Sequence, residues 1–451
     1  MLLYWLIFII ICCSAFKNWK KTVIVWLPLQ LLFNECICLK YTSPAVSLTL
    51  AIDSLLIFLY FFRNKKRLNM NTFFLNKVFY IYILSYILSM VFSIVPFTDV
   101  ATNTIKYFIQ TFGIVMIFYR ALNEVEDIKL FIKTTLIVII SIVSLGVYEI
   151  IFKDNIILDY VFMNAPLESI KGKMWYIPPF LSSTGELVQR YGLTRCYSFF
   201  SIHIDFGCAC VLLFFLYLFL LNYKYKYMNK SHLILFILLL AAGVLFSNSK
   251  TPLVGIAFFL LAFYKIKLFF NLKLLLITGI VSIVIYNYAP GYIDNFVAIF
   301  DDNVAYEGGG STTMMRQRQF EIGLNLFSEN PLLGNGIGSI AVFMKNTLNA
   351  ELYGSESSWL KILIERGILG CIVYIYLYII MFRKLKKYLK LKETVCFLMG
   401  LIAMETATGF MNFSLYVSII IVICRCIDLK IVNFKQLYCN NIHYNNDYNG
   451  V

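Results

Sequence analysis

Five charged residues in this 451-residue chain are of types that could do chemistry together: Arg195, Lys250, Arg316, Arg318 and Glu356. Arg195 follows Arg190-Tyr-Gly-Leu-Thr, and Lys250 ends Ser247-Asn-Ser. The arginine pair lies in Met315-Arg-Gln-Arg-Gln-Phe320, and Glu356 lies in Ser355-Glu-Ser-Ser-Trp-Leu360. Guanidinium groups grip phosphate-type oxygens bidentately and an ammonium does so as a point charge, each charge-assisted bond contributing ~1.5–3 kcal/mol. Arg316 and Arg318 are two apart, so on a helix only one of them faces a given site. Arg316 shares its face with Phe320, which is expected to pack the helix down, and Arg318 is expected to be solvated. Taken singly, each cation could be an interfacial anchor with its stem along apolar surface. The elements that carry them decide whether they meet.

Those elements are apolar. Hydrophobic residues make up 60% of the chain and charged residues 14%, with a mean hydropathy of +0.76. The apolar residues form runs long enough to cross ~30 Å of hydrocarbon as helices. Barrel-type alternation is absent, so helices must satisfy the backbone in lipid. The expected fold class is all-α, a polytopic transmembrane helical bundle of about 12–13 spans with a large outer loop between spans 10 and 11. Candidate spans are approximately 2–16, 22–38, 45–62, 77–96, 104–120, 133–152, 197–221, 233–247, 251–264, 272–288, 358–382, 394–411 and 414–427. Residues 1–16 lack a basic start and a small-residue cleavage site, and are expected to be a retained first span.

Charge fixes the sidedness. Two thirds of the 39 Lys and Arg fall in short connections on one side, or in the tail beyond the last span. They form clusters around Lys17–Lys21, Arg63–Lys77, Arg120–Lys133, Lys224–Lys230, Lys265–Lys273, Arg383–Lys392 and Arg425–Lys435. That side is the expected cytoplasm. The net charge of +14 is thereby accounted for without nucleic acid. Residues 233–264 decide the later topology. As one long helix they would send every later basic cluster outside, whereas a hairpin of two arms of about 14–15 residues keeps them inside. Each arm spans ~21–23 Å, which sets Lys250 at or slightly below the outer surface. The expected organisation is a membrane domain over residues 1–430, with outer loops 153–196 and 289–357, and a cytoplasmic tail over 431–451. Loops of this length usually carry function.

Other polar features are weaker. Asn330-Pro-Leu-Leu-Gly334-Asn-Gly336-Ile-Gly338 reads as a helix stop followed by a glycine-permitted turn, and it lacks the strand and helix context of a dinucleotide site. Asp53, Asp205, Glu405 and His203 fall within spans and are functional candidates for that reason. Asp205 lies about two and a half helical turns below Arg195 if the span starts at 197. Lys361 and Glu365 are an i,i+4 pair expected to support their helix. The 12 Cys show no CxxC or metal-ligand spacing and read as packing residues.

With these residues in view, the chain resembles the O-antigen ligase and polymerase superfamily. Ser247-Asn-Ser-Lys250 looks like its short Ser-Arg element. Arg316-x-x-x-Phe320 followed by Pro331-Leu-x-Gly-x-Gly-x-Gly resembles its Arg-x-x-x-aromatic and Pro-Leu-x-Gly-x-Gly signature. Glu356-Ser-Ser, running on to Glu365-Arg-Gly-Ile-Leu-Gly370, resembles the family's entry into a span that ends Glu-x-Gly-x-x-Gly. Arg195-Cys-Tyr-Ser-Phe-Phe resembles its Arg-x-x-Ser/Gly-x-Phe element. Two departures stand out: Lys250 where the family usually has Arg, and Glu356 where ligases often have His.

The resemblance implies a metal-independent, cofactor-free glycosyltransferase in the bacterial cytoplasmic membrane. Its substrate would be an undecaprenyl-diphosphate-linked oligosaccharide, and the chain would be a polymerase of lipid-linked repeats. Arg195, Lys250 and Arg316 would hold the diphosphate and Glu356 would be the base, with His203, Asp205 and Arg318 as possible support. A chain-length regulator and a flippase are candidate partners. The competing readings are a ligase that passes the glycan to another acceptor and, less favoured, a transporter, which should show paired broken helices at mid-membrane and small outer loops.

Overall fold

The computed structural model describes residues 2–34, 36–40, 46–63, 73–165, 176–181, 189–264, 291–297, 301, 313–343, 357–408 and 413–432. Among the described residues the chain is all-α apart from two short antiparallel strand pairs. Among the described residues three helices are long and apolar enough to cross a membrane, at Val125–Phe152, His203–Asn222 and Ser358–Leu385. The candidate span 272–288 lies outside the described residues.

The N-terminal half begins with α1 (Leu2–Leu29), broken at Asn18, where φ is −150° and ψ is 87°. The Asn18 side chain accepts from the Lys21 N–H at 3.2 Å, which caps the second segment and makes two helices of one run. The first strand pair is β1 (Cys38–Lys40) and β2 (Val46–Ser47), followed by α2 (Leu48–Arg63) and α3 (Asn76–Val91). The expected span 104–120 is interrupted: α4 (Phe97–Phe108) passes through a π-helical turn at Ile109–Gly113 into α5 (Ile114–Ala121). Then α6 (Val125–Phe152) leads to the short α7 (Ile156–Asn164).

In the second half, β3 (Gln189–Arg190) and β4 (Leu193–Thr194) flank Tyr191 and Gly192, both at positive φ, as a two-residue hairpin turn requires. The helices that follow are α8 (His203–Asn222), α9 (Lys230–Phe246) and α10 (Lys250–Phe263). The stretch between residues 291 and 343 contributes α11 (Gly291–Val297), α12 (Thr313–Glu329) and α13 (Ser339–Phe343). The chain closes with α14 (Ser358–Leu385), α15 (Leu391–Ala407) and α16 (Phe413–Asp428).

The core centres on α8, which is apolar all round and correspondingly buried along nearly its whole length. It packs on α9, α10 and α16, while α10 lies along α15 and α3 along α14. Small residues set the close approaches. A Cβ added at Gly243 would come within 2.8 Å of Cys210 Sγ, and one at Gly255 within 2.8 Å of both Val211 and Met404.

Hydrogen bonds at the helix ends fall into two layers. In one, Arg63 donates to the Phe16 carbonyl, Lys20 pairs with Glu124 and Asp127, and Tyr223 donates to Glu393. Lys392 reaches the Tyr264 carbonyl, and Arg425 reaches Asn123, in the same layer. In the other, Asn34 donates to the Phe199 carbonyl, the Cys196 N–H to the Phe246 carbonyl, the Ile94 N–H to the Asn335 carbonyl, and the Ser358 N–H to the Thr408 carbonyl. The first layer holds the basic connections and the second holds the proposed outer loops. The packed region also runs past residue 430: Ile431 and Val432 are buried, and the Ile431 carbonyl accepts from the Lys226 N–H at 3.2 Å.

Candidate functional site

Arg195 and Lys250 stand on elements that are tied together. The Cys196 N–H donates to the Phe246 carbonyl at 3.0 Å, and the Asn248 amide donates to the Leu193 carbonyl at 3.4 Å. Asn248 takes φ of 43° at the hairpin tip, and Lys250 opens α10 immediately after it. The tip sits on α8 at Gly207, where an added Cβ would come within 2.5 Å of Pro252 and 2.6 Å of Ser247. Both cationic side chains are half-buried.

The segment after Arg195 is not helical, contrary to the expected span start at 197. Its backbone is captured by Glu149 near the end of α6, whose carboxylate accepts the N–H of Tyr197 at 2.7 Å and of Ser198 at 2.9 Å. Asn155 bonds the same carboxylate, donates to the Ser198 carbonyl at 2.8 Å, and caps α7 through the N–H groups of Ile157 and Leu158. Helix α8 therefore starts only at His203. Asp205 falls in its first turn and is not two and a half turns below Arg195 on one helix. His203 is buried, with its ring edge-on to Tyr197 at 5.4 Å. Glu149 was missed from sequence although a signal existed, since it is the one acidic residue in the apolar run 133–152.

The glycine-rich turn and the Glu365–Gly370 motif form one unit. Helix α14 breaks at Gly367, where φ is 62° and ψ is −160°. The chain from Pro331 to Gly338 docks against the break. The N–H groups of Ile368 and Leu369 donate to the carbonyls of Pro331 and Leu332 at 2.9 and 3.2 Å. In return, the Asn335 and Gly336 N–H groups donate to the carbonyls of Ile364 and Glu365 at 2.9 and 3.0 Å. A Cβ at Gly334 would lie 2.4 Å from the Arg366 nitrogen, and one at Gly367 would lie 2.6 Å from the Leu332 carbonyl group. The Glu365 carboxylate accepts from the Gly338 N–H at 3.0 Å, while Lys361 is exposed, so Glu365 braces this turn. Arg366 is buried over the rings of Tyr82 and Tyr86, 4.8 and 4.7 Å from their centroids.

This unit aims α12. Leu326 packs with Leu360 and Ile364, and Gly323 lies against Leu360, so α12 runs parallel to the start of α14. Arg316, seven residues further back, projects about 10 Å beyond that contact, past the first residues of α14. Its guanidinium is 3.4 Å from the Gln319 side-chain oxygen, and Gln319 is buried. The expectation for Phe320 is corrected: it is 41% exposed, and Gln319, Gly323 and Leu326 make the packed face instead. Arg318 is exposed. Glu356 lies outside the described residues, directly before Ser357, which caps α14 by accepting from the Leu360 N–H.

Asp53 and Asp205 line a chamber of about 460 Å³ among α1, α2, the π-helical turn, the segment before α8, and the starts of α14 and α16. The Asp53 carboxylate accepts from Trp26 Nε1 at 2.7 Å and Gln30 Nε2 at 2.6 Å. Glu405, for which the sequence offered no partner, accepts from the hydroxyls of Tyr374 and Tyr378 at 2.7 and 2.5 Å.

No curated protein matches the chain. Residues 234–375 match the family model Wzy_C, described as O-antigen ligase. The matched stretch contains Lys250, Arg316, the glycine turn, Glu356 and the break at Gly367, whereas Arg195 and Glu149 lie before it. Over this stretch the chain is similar to the O-antigen ligase family, and its long apolar helices give it the character of a membrane protein.

Proposed function

We propose that the chain polymerises undecaprenyl-diphosphate-linked oligosaccharide repeats at the outer face of the bacterial cytoplasmic membrane. The observation that carries this reading is the joining of the Arg195 segment to the Lys250 hairpin, in the same layer of helix ends from which Arg316 projects past the start of α14. Three cations from three separate elements suit a diphosphate, which presents oxygens in several directions.

In the proposed step, a hydroxyl of the incoming repeat attacks the anomeric carbon of the growing chain. The new glycosidic C–O bond forms as the bond to the lipid diphosphate breaks, and the diphosphate leaves with the electron pair. Arg195, Lys250 and Arg316 stabilise the charge that develops on it. Glu356 takes the hydroxyl proton. Removing one such charge-assisted contact is expected to cost ~1.5–3 kcal/mol in the transition state, or roughly 10- to 150-fold in rate.

The test uses the purified chain with a synthetic lipid-linked repeat. Arg316→Ala and Glu356→Gln are expected to slow the growth of polymer ladders roughly tenfold or more, and full ladders at the wild-type rate from both would overturn the assignment. The matched family's description as a ligase motivates the second reading, in which the same donor is passed to a different acceptor. Cells lacking a ligase would retain lipid-linked polymer, whereas cells lacking a polymerase would carry single repeats.

A further inference from the structure

The chamber contains polar groups that the proposed chemistry does not use. Asp53 is only 1% exposed, and both of its hydrogen bonds land on Oδ1, which leaves Oδ2 for a donor in the chamber. Gln110 comes from the π-helical turn, its amide nitrogen 3.2 Å from the Thr49 hydroxyl. Such turns insert one residue into a helix and often mark functional positions. Asp205 lines the chamber from α8, and Lys361 lines it while remaining exposed, so it is open on that side. The rings of Tyr107 and Phe200 also line it.

This mixture selects a class of ligand. A phosphate is disfavoured, because two carboxylates line the chamber against one ammonium. A hard divalent cation needs about six oxygen ligands, and no group of three His, Cys, Asp or Glu placed to hold a metal is present among the described residues. A polyhydroxylated ring suits the chamber better. Each hydroxyl both donates and accepts, so carboxylates, amides and an ammonium can all be used, while the ring's C–H faces lie on aromatic side chains. The volume of about 460 Å³ falls within the ~300–1,000 Å³ range of small-molecule sites.

We propose that this chamber is a subsite for a sugar residue, with Asp53, Asp205 and Gln110 holding its hydroxyls and Tyr107 and Phe200 its ring. That the sugar belongs to the lipid-linked glycan rests on the proposed function. That the chamber binds a sugar does not.

Trp26 provides the readout, because its indole donates directly to Asp53. In the full chain in detergent, Trp5, Trp19, Trp175 and Trp359 are replaced by Phe, and Trp26 emission is titrated with methyl glycosides of hexoses, N-acetylhexosamines and uronic acids. A saturable shift with at least one glycoside is expected, with its apparent Kd rising about tenfold or more in Gln110→Leu, since a polar site loses a hydroxyl contact steeply. Ser414→Phe, which fills the chamber, is expected to abolish the shift. Glycoside-dependent thermal melting of the otherwise unaltered chain gives the same comparison without the Trp replacements, and melting without glycoside checks that each variant is folded.

No saturable response to any glycoside by either readout overturns the proposal. So does a response that both chamber variants retain, or one produced only by sodium or potassium chloride. Glycoside binding by a chain that makes no polymer would overturn the proposed function and leave the subsite standing. Polymer synthesis with no glycoside response would do the reverse.

Discussion

Substituting Gly367 by Ala tests whether the break in α14 is held by the docked glycine turn. The backbone there, at φ 62° and ψ −160°, is a region that essentially only glycine occupies, and an L-residue held in it costs ~1–3 kcal/mol. The new methyl would also lie 2.6 Å from the Leu332 carbonyl carbon and oxygen and 2.7 Å from the Gly334 nitrogen, an overlap with backbone worth a further ~1–3 kcal/mol. Against this stand the bonds of the Asn335, Gly336, Ile368 and Leu369 N–H groups, at ~0.5–1.5 kcal/mol each. The two sums are comparable, so undocking of the turn relieves the strain more cheaply than unfolding the bundle does. A net shift of about 3 kcal/mol reduces amide protection at these four positions roughly 100-fold. Hydrogen exchange with mass spectrometry, resolved to peptides covering 331–343 and 364–371, measures it. The buried amides of α8 should be unaffected. Unchanged protection in both peptides, or an equal loss throughout α8, would refute the reasoning.

Substitutions at two other positions probe the layer of helix ends around the Arg195 segment. Glu149→Ala strips the acceptors from the buried Tyr197 and Ser198 N–H groups and should cost about 3–5 kcal/mol, with Glu149→Gln losing roughly half as much, read as detergent melting temperatures. Burial pushes the Asp159 carboxyl up to about 6, opposed by the hydrogen bond from Tyr176 and reinforced by nearby Asp154. A raised folded pKa means that ionisation opposes folding. The contribution is present below the ordinary value of 3.8 and is lost as pH rises through about 6. Asp159→Asn should therefore melt slightly higher than the wild type at pH 8 and equally at pH 3.5, by about 1 kcal/mol or less after solvent screening.

Much of the helical frame was readable because apolar runs, basic clusters and glycine turns are local signals. The hairpin tip at Ser247–Lys250 falls where run length and charge balance put it. What stayed hidden depends on pairings distant in sequence. The carboxylate of Glu149 meets backbone groups nearly fifty residues away, and that contact shortens α8 by several residues, which no periodicity can report. The glycine turn and the Gly367 break each read as punctuation, and only their mutual hydrogen bonds make them one unit. For Phe320, hydrophobicity suggested the packed face, but a buried glutamine and a glycine occupy it because Leu360 needs close backbone approach there. The chamber gathers Asp53, Gln110, Asp205 and Lys361 from four separate elements, a conjunction that exists only in the assembled bundle.

The Glu149 contact also sets an order of assembly. The carboxylate is made 48 and 49 residues before the two N–H groups that satisfy it. At ~5–20 residues per second, it precedes them by about 2–10 s. Throughout that interval the C-terminal end of α6 carries an acid that apolar surroundings penalise by several kcal/mol, so it stays near water until the Arg195 segment arrives. The segment that supplies one of the proposed phosphate-binding cations is thus also the segment whose delivery lets α6 settle, and a chain that fails to build this part of the site also leaves its bundle unfinished.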